Sequence, residues 1–494
     1  MNIEQNAKMI LKACKEQGLQ EILQCSFLAD CSAPNPPQRV LTTEQLSPEI
    51  SIYYVKNSEE AFSLELKKFC LKNPIAILRH LDASVNIDLD LFSSKTLAQI
   101  DPHLNIEIRE QNKCSPDENW DKGRKKKVWD CFSSLSRMTM LEYTRYQRRI
   151  QRQNNSDQMN MDEENKKLKF ATNIDLSNKK KWKDQFDELM KLPPFLRVED
   201  NSNMLSYVGE ILGMNTLQLY MKVPGCRTPG HQENNNFCSV NLNIGPGDCE
   251  WFAVPQEYWG AMHTLCEQNN VNYLKDSWWP PNLNVLHENN IPVYRFIQKL
   301  GDIVWINVGC VHWVQSIGSC NNVAWNVGPF TVSQYYMAIE RYEWNKLQRF
   351  KSIVPIVHLS WNLACDANVT NVQLSILIKN CLSLTMKQSY LILKFVKRKN
   401  VEIIYHGRRK DDHTPYCQNC YVEVFNVLFI SKLKKNKPHE VYCIKCALKR
   451  SRSLRGFTCL KEYHLNTLRN IYDKFVLRLS SSHGSRRSLS TSIK

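Results

Sequence analysis

Two sets of residues in this 494-residue chain have the types and spacing to hold a metal ion. The first begins with His231 and Glu233, two apart in Thr228-Pro229-Gly230-His231-Gln232-Glu233-Asn234-Asn235-Asn236, and is completed by His312 in Gly309-Cys310-Val311-His312-Trp313. In an extended chain, residues i and i+2 point to the same face, so His231 and Glu233 can reach one ion while Gln232 points away. Two imidazoles and one carboxylate on one side of a metal leave its other coordination positions open, as in non-haem Fe(II) oxygenases. The second set is Cys417-Gln418-Asn419-Cys420 with Cys443-Ile444-Lys445-Cys446. Two Cys-x-x-Cys pairs about twenty residues apart read as a four-thiolate zinc site. With Cys417, Cys420, Cys443 and Cys446 all bound, no position stays open for chemistry, so that site is structural.

A His-x-Glu pair alone is most often a solvated surface turn. Its surroundings argue otherwise here. In Phe237-Cys238-Ser239-Val240-Asn241-Leu242-Asn243-Ile244, the residues Cys238, Val240, Leu242 and Ile244 share one face and Ser239, Asn241 and Asn243 the other. That alternation is a strand with one apolar and one polar face. A Gly-Pro-Gly-Asp turn ends it, and Cys249–Val254 reads as the next strand. Thr216–Val223, Val293–Lys299, Ile303–Val308 and Asn321–Val327 are further short strands. So many strands between turn signals predict a sandwich or barrel whose closure brings His312 to the first two ligands.

Composition narrows the class. The formal charge is +16, from 65 basic and 49 acidic residues. That suits work near nucleic acid or chromatin and equally a basic globular protein. The 19 cysteines, with no secretory signal at the start and no run long enough to span a membrane, read as thiols of a nuclear or cytosolic protein. Two basic clusters, Lys122–Lys127 and Lys179–Lys183, are solvated faces, import signals or contacts to nucleosomal DNA.

The expected organisation is a leader and linker over 1–47, a supporting subdomain over 48–145 and a polar linker over 146–179. A catalytic domain over 180–345 follows, then a helical segment over 346–410, the zinc-binding module over 411–475 and a low-complexity tail over 476–494.

The stretches Arg227–Asn241, Pro292–Gln298, Val311-His312-Trp313-Val314-Gln315 and Ala324-Trp325-Asn326-Val327-Gly328-Pro329, with Lys222 and the Cys-x-x-Cys pairs, resemble the JmjC histone demethylases of the UTX/UTY group. The resemblance implies a mainly β fold with α: a double-stranded β-helix (JmjC, cupin-like) barrel, a helical segment and a GATA-like zinc-binding module. It implies Fe(II), 2-oxoglutarate and Zn(II) as cofactors, O2 as co-substrate, and the histone H3 tail in chromatin as partner, within a chromatin-modifying complex in the nucleus. The implied reaction removes methyl groups from tri- or dimethylated lysine-27 of H3 by N-methyl hydroxylation with formaldehyde release, which derepresses transcription. His231, Glu233 and His312 would hold iron. Lys222, Thr228 and Asn241 would bind 2-oxoglutarate, and Tyr220 and Ser239 would face the methylated ammonium. A JmjC protein hydroxylase would share the iron ligands, as would a catalytically weak chromatin scaffold.

Overall fold

The structure, a computed structural model, describes residues 5–14, 17–28, 31–154, 167–409, 412–431 and 440–476. The chain forms two compact units, one from residues 33–203 and 210–327, the other from 1–32, 204–209 and 328–494.

The first unit is built on strands β1 (Ser51–Tyr54), β2 (Ile75–Arg79), β3 (Asn105–Asn112), β4 (Ser133–Thr139), β5 (Lys167–Asp175), β6 (Gln218–Lys222), β7 (Arg227–His231), β8 (Cys238–Pro246), β9 (Cys249–Val254), β10 (Tyr294–Gln298), β11 (Ile303–Ile306), β12 (Val311–Ser316) and β13 (Cys320–Val327). Nine of them make one sheet in the order β1-β2-β11-β8-β13-β6-β5-β3-β4, and four make a second in the order β10-β9-β12-β7. Every pairing is antiparallel except β1 with β2.

Period-two patterning decides which residues face which layer. On β11, Ile303 and Trp305 pack into the outer core with Val240 and Leu242 of β8 and Val323 and Trp325 of β13. The intervening Val304 and Ile306 point the other way, into a core shared with Trp251 and Ala253 of β9, Phe296 of β10 and Val314 of β12. The second core joins the two sheets, so the sheets face each other as a flattened barrel. The expected alternation of β8 holds: Cys238, Val240, Leu242 and Ile244 lie in the outer core.

Residues 48–145 are not a separate support. Strands β1 to β4 belong to the same nine-stranded sheet as β6, β8, β11 and β13. The stretch 146–179, expected as a polar linker, holds the end of a helix, Met140–Asn154, and the whole of β5; residues 155–166 lie outside the described residues. The helix is anchored by buried polar residues that apolar periodicity does not register. Gln147 Nε2 donates to the Lys222 carbonyl at 2.9 Å, and the Tyr143 hydroxyl donates to the Met221 carbonyl at 2.6 Å.

The second unit has helices Val332–Leu347, Ile356–Asp366 and Val372–Arg398. Helical spacing predicted the last from Val372 to Val396. Strands β14 (Ile403–Tyr405), β15 (Val427–Ser431), β16 (Val441–Tyr442) and β17 (Phe457–Lys461) form a sheet in the order β14-β17-β15-β16. The zinc-binding module therefore begins before residue 411, at β14. Described residues of the leader assigned to 1–47 are also packed structure. Helices Ala7–Ala13 and Leu19–Gln24 bury Cys14 and Ile22 against Leu391 of the 372–398 helix, and the Ala7 amide donates to Asp473 Oδ1 at 2.6 Å. The tail expected over 476–494 lies, from 477 on, outside the described residues. No helix among the described residues is long and apolar enough to cross a membrane.

Candidate metal centres

The barrel brings His231, Glu233 and His312 together: one ligand atom from each lies within 4.8 Å of the others. His231 ends β7 and sits directly opposite His312 on β12, with ring centroids 4.2 Å apart. Each imidazole is oriented by its own backbone. His231 Nδ1 lies 2.8 Å from the Pro229 carbonyl and His312 Nδ1 lies 3.3 Å from the Cys310 carbonyl. A carbonyl only accepts, so both Nδ1 atoms carry the proton and both Nε2 lone pairs are available to a metal. His312 also stacks on Trp251. Burial first, and then the neighbouring His231, hold His312 well below the usual histidine range, which favours the neutral, ligating form.

Glu233 lies two residues past His231. Its Oε1 is 3.6 Å from His312 Nε2, and its Oε2 accepts a hydrogen bond from Asn326 Nδ2 at 2.9 Å. Gln232 points away, as the spacing predicted: it donates to the Gly309 carbonyl and accepts from the Tyr273 hydroxyl. The chain then turns through Asn235 and Asn236, both at positive φ, where asparagine is among the best tolerated residues. Gly230 is required by close approach. A Cβ there would lie 2.1 Å from the Trp278 ring, whose carbonyl accepts from the Gly230 amide.

Lys222 on β6 is 3 % exposed, and no carboxylate among the described residues pairs with it. Its ammonium instead lies 3.8 Å from Cys249 Sγ, which is 3.4 Å from Cys320 Sγ. The Cys320 hydrogen bond and the Lys222 charge draw the Cys249 thiol downward, against the burial that raises it. A buried cation without an anion is costly, so this end of the barrel fits a ligand carboxylate. Asn241 Oδ1 accepts from Asn322 Nδ2 at 2.9 Å and from Gln298 Nε2 at 3.3 Å, within a network that reaches Trp251 Nε1. Thr228 is half-buried on β7, opposite Val314.

The Tyr220 hydroxyl donates to Gln218 Oε1 at 2.7 Å and the Ser239 hydroxyl to the Trp325 carbonyl at 3.3 Å. Both protons point elsewhere, which leaves lone pairs on both oxygens. Burial first, and then the Glu233 charge, push the Tyr220 phenol upward and keep it neutral.

Asn326 belongs to the site too, although motif and spacing alone did not single it out. Asn322 and Asn326 recur at even spacing on β13, a polar face to match that of β8, and this was the available signal.

In the second unit, Cys417, Cys420, Cys443 and Cys446 also place one ligand atom each within 4.8 Å of the rest. Cys420 Sγ and Cys443 Sγ are 3.7 Å apart. A tetrahedral zinc with Zn–S bonds of about 2.3 Å sets its sulfurs roughly 3.8 Å apart, so the four residues fit zinc. Asn419 Nδ2 donates to Cys446 Sγ at 3.3 Å, a bond that stabilises a thiolate. The first pair lies in a turn closed by the Tyr421 amide on the Cys417 carbonyl; the second opens the helix Ile444–Arg450.

Comparison with known proteins agrees with this arrangement. Residues 218–327 match the JmjC domain, hydroxylase. Residues 334–389 match the lysine-specific demethylase 6/UTY C-terminal helical domain, and 406–465 match the KDM6 GATA-like module. The chain is 43% identical to human lysine-specific demethylase 6B over 98% of its own length and 31% of that protein's. It is 31% identical to lysine-specific demethylase jmjd-3.1 of Caenorhabditis elegans over 85% of its own length and 43% of that protein's. It therefore spans less than half the length of either relative. A barrel, a helical domain and a GATA-like module, in that order and over those residues, place the chain in the JmjC family, in its lysine-specific demethylase 6/UTY branch.

Proposed function

We propose that this chain is an Fe(II)- and 2-oxoglutarate-dependent dioxygenase that demethylates tri- and dimethylated lysine-27 of histone H3 in nuclear chromatin. The observation that carries the reading is the His231–His312 cross-strand pair, both Nε2 atoms free, closed by Glu233. These three residues would hold Fe(II). Lys222 would pair with the far carboxylate of 2-oxoglutarate, with Thr228 and Asn241 beside it. Bound iron with 2-oxoglutarate and O2 supplies oxidation of an N-methyl C–H bond, after which the hydroxymethyl amine releases formaldehyde.

The chain's own residues provide position and shielding. A trimethylammonium has no N–H to donate, so acceptors must hold it by charge and by C–H···O contact. The Tyr220 and Ser239 oxygens have their protons committed to Gln218 and Trp325, so each presents lone pairs. Asn326 holds one oxygen of Glu233 and leaves the other toward His312. The Cys417–Cys446 module would carry zinc and help read the histone tail.

The test is formaldehyde release and mass loss from an H3 peptide trimethylated at lysine-27, with Fe(II), 2-oxoglutarate and ascorbate. The controls are a His231→Ala variant and peptides methylated elsewhere. Successive methyl losses from that peptide, absent in the variant, are expected. A product gaining oxygen without formaldehyde would reassign the chain as a protein hydroxylase. No mass change, with both ligands bound, would leave it a scaffold.

A further inference from the structure

The helix Met140–Asn154 carries Arg145, Arg148, Arg149 and Arg152, spaced i, i+3, i+4 and i+7. That spacing gathers them on one face, in a row about 10 Å long. All four are exposed. The other side of the helix is fixed to the barrel through Tyr143 on the Met221 carbonyl and Gln147 on the Lys222 carbonyl. The row is thus braced on β6, the strand of Tyr220 and Lys222.

Among the described residues, Arg145, Arg148 and Arg149 form no ion pair with a carboxylate, and Arg149 lies over the Tyr146 ring. The one acid of the helix, Glu142, lies near Arg145 but caps the helix: its Oε2 accepts from the Thr139 amide at 2.7 Å and hydroxyl at 2.9 Å. Glu110 across the sheet accepts from the Ser136 hydroxyl. More positive charge adjoins. Lys169 also faces Tyr146, and Lys167 is exposed at the start of β5. Like charges one turn apart destabilise a helix, so this row weakens the element that bears it.

The cluster Lys179–Lys183 is the contrast. Lys179 pairs with Glu199, Lys181 with Asp101 and Lys183 with Asp187. By sequence it is the denser basic run; in the fold it is largely neutralised.

We propose that the Arg145–Arg148–Arg149 row is a docking surface for the backbone phosphates of duplex DNA. Duplex DNA presents one negative charge per roughly 1.7 Å of axis, and a guanidinium fork matches a phosphate in both charge and geometry. A straight, rigid row of cations without base-reading partners holds a backbone and reads no sequence. The surface is independent of the chemistry proposed for the barrel.

The experiment is anisotropy titration of a fluorescent random-sequence duplex with the full chain across a KCl series. In the Arg145→Ala/Arg148→Ala/Arg149→Ala variant, the slope of log K against log salt falls by about 2.7, at about 0.9 for each phosphate no longer neutralised. Alanine favours the helix, so far-UV circular dichroism is unchanged. The Arg→Lys triple variant keeps the slope, as does Lys179→Ala/Lys181→Ala/Lys183→Ala. The proposal is overturned if the wild-type chain binds no duplex, if the arginine variant keeps its slope, or if both alanine variants lose it equally. Polyglutamate bound as tightly as the duplex would assign the row to an acidic protein segment and overturn it too.

Discussion

The two metal-capable clusters satisfy the same distance limit by different construction. His231 and His312 project from paired strands of a sheet already fixed by its hydrogen-bond ladder and by the core around Trp251, Phe296 and Val314. An ion there is held by a scaffold that does not depend on it. The four cysteines lie in a turn and at a helix start, joined to the small sheet β14–β17. An ion there would close the scaffold itself. The barrel set also leaves one side of the metal to a ligand, whereas the thiolate set leaves none. With metal bound, chemistry would therefore belong to the first cluster and folding to the second.

The sharpest way to break that contrast is to remove one thiolate. Structural zinc sites contribute apparent binding free energies of about 10–16 kcal/mol at neutral pH, which exceeds the stability of most small modules. Cys443→Ser is expected to lose zinc and expose the region around β14–β17 to protease, while the unit formed by 33–203 and 210–327 keeps its melting transition. Metal content with limited proteolysis measures both. A protease-resistant module in the zinc-free variant would show that the core around Phe429, Tyr442 and Phe457 holds it unaided.

Within the barrel, function and stability should move in opposite directions at Lys222. An unpaired buried cation is costly, and replacing even a buried ion pair by apolar side chains of similar volume is often neutral or stabilising by roughly 1–4 kcal/mol. Lys222→Met is therefore expected to melt no lower than the wild type without co-substrate, while its KM for 2-oxoglutarate rises steeply. Differential scanning fluorimetry with and without 2-oxoglutarate tests this. A variant that melts lower and keeps its KM would make Lys222 a structural cation.

A smaller effect sits at Asn326. Groups that orient a metal ligand typically change metal affinity about 10–100-fold when removed. Asn326→Ala should weaken metal binding within that range and leave the His231–His312 pairing intact, as isothermal titration with a divalent ion would read. Unchanged affinity would mean that Glu233 keeps its rotamer without help.

Much of this was legible in the sequence because strands announce themselves by alternation and zinc sites by spacing. Ser239 and Asn241 fell on the polar face of β8, and Cys417–Cys446 fell into one cluster, for those reasons. One failure has another cause: burial made by polar groups. Gln147 hid the helix 140–154 inside an apparent linker, since a buried glutamine satisfied by the Lys222 carbonyl looks solvated in a periodicity reading. The N-terminal segment failed because its contacts are remote in sequence. Ile22 packs on Leu391, and the Phe27 amide donates to Glu343 Oε1. No local pattern encodes a partner more than three hundred residues away.

The smallest expected effect separates the two units by pH. In the second unit His358 is buried, with Nδ1 2.5 Å from Glu423 Oε1 and Nε2 3.8 Å from Glu462 Oε2, while Arg408 pairs with Glu462 Oε1 at 2.9 Å. Burial lowers the His358 pKa, but Glu423 and Glu462 outweigh it, and the net shift is above the ordinary 6.5. Burial raises Glu462, but His358 and Arg408 outweigh it, and the net shift is below the ordinary 4.5. A group whose folded pKa is raised stabilises the fold fully below its unfolded value and stops doing so as pH rises through the folded value. A group whose folded pKa is lowered stabilises above its unfolded value and stops as pH falls through the folded one. The cluster is thus at full strength between about pH 4.5 and 6.5. It weakens on the alkaline side once pH passes the folded His358 value, and on the acid side once it passes the folded Glu462 value. The His358→Gln variant cannot titrate at that position, so its second unit should lose the alkaline decline, and its acid limb should shrink because Arg408 alone then holds Glu462 down. Urea melts across pH, followed by fluorescence of Trp361, which stacks on Phe425 beside His358, would resolve the two limbs. An alkaline decline of equal size in His358→Gln would move its origin to another group and remove this difference between the units.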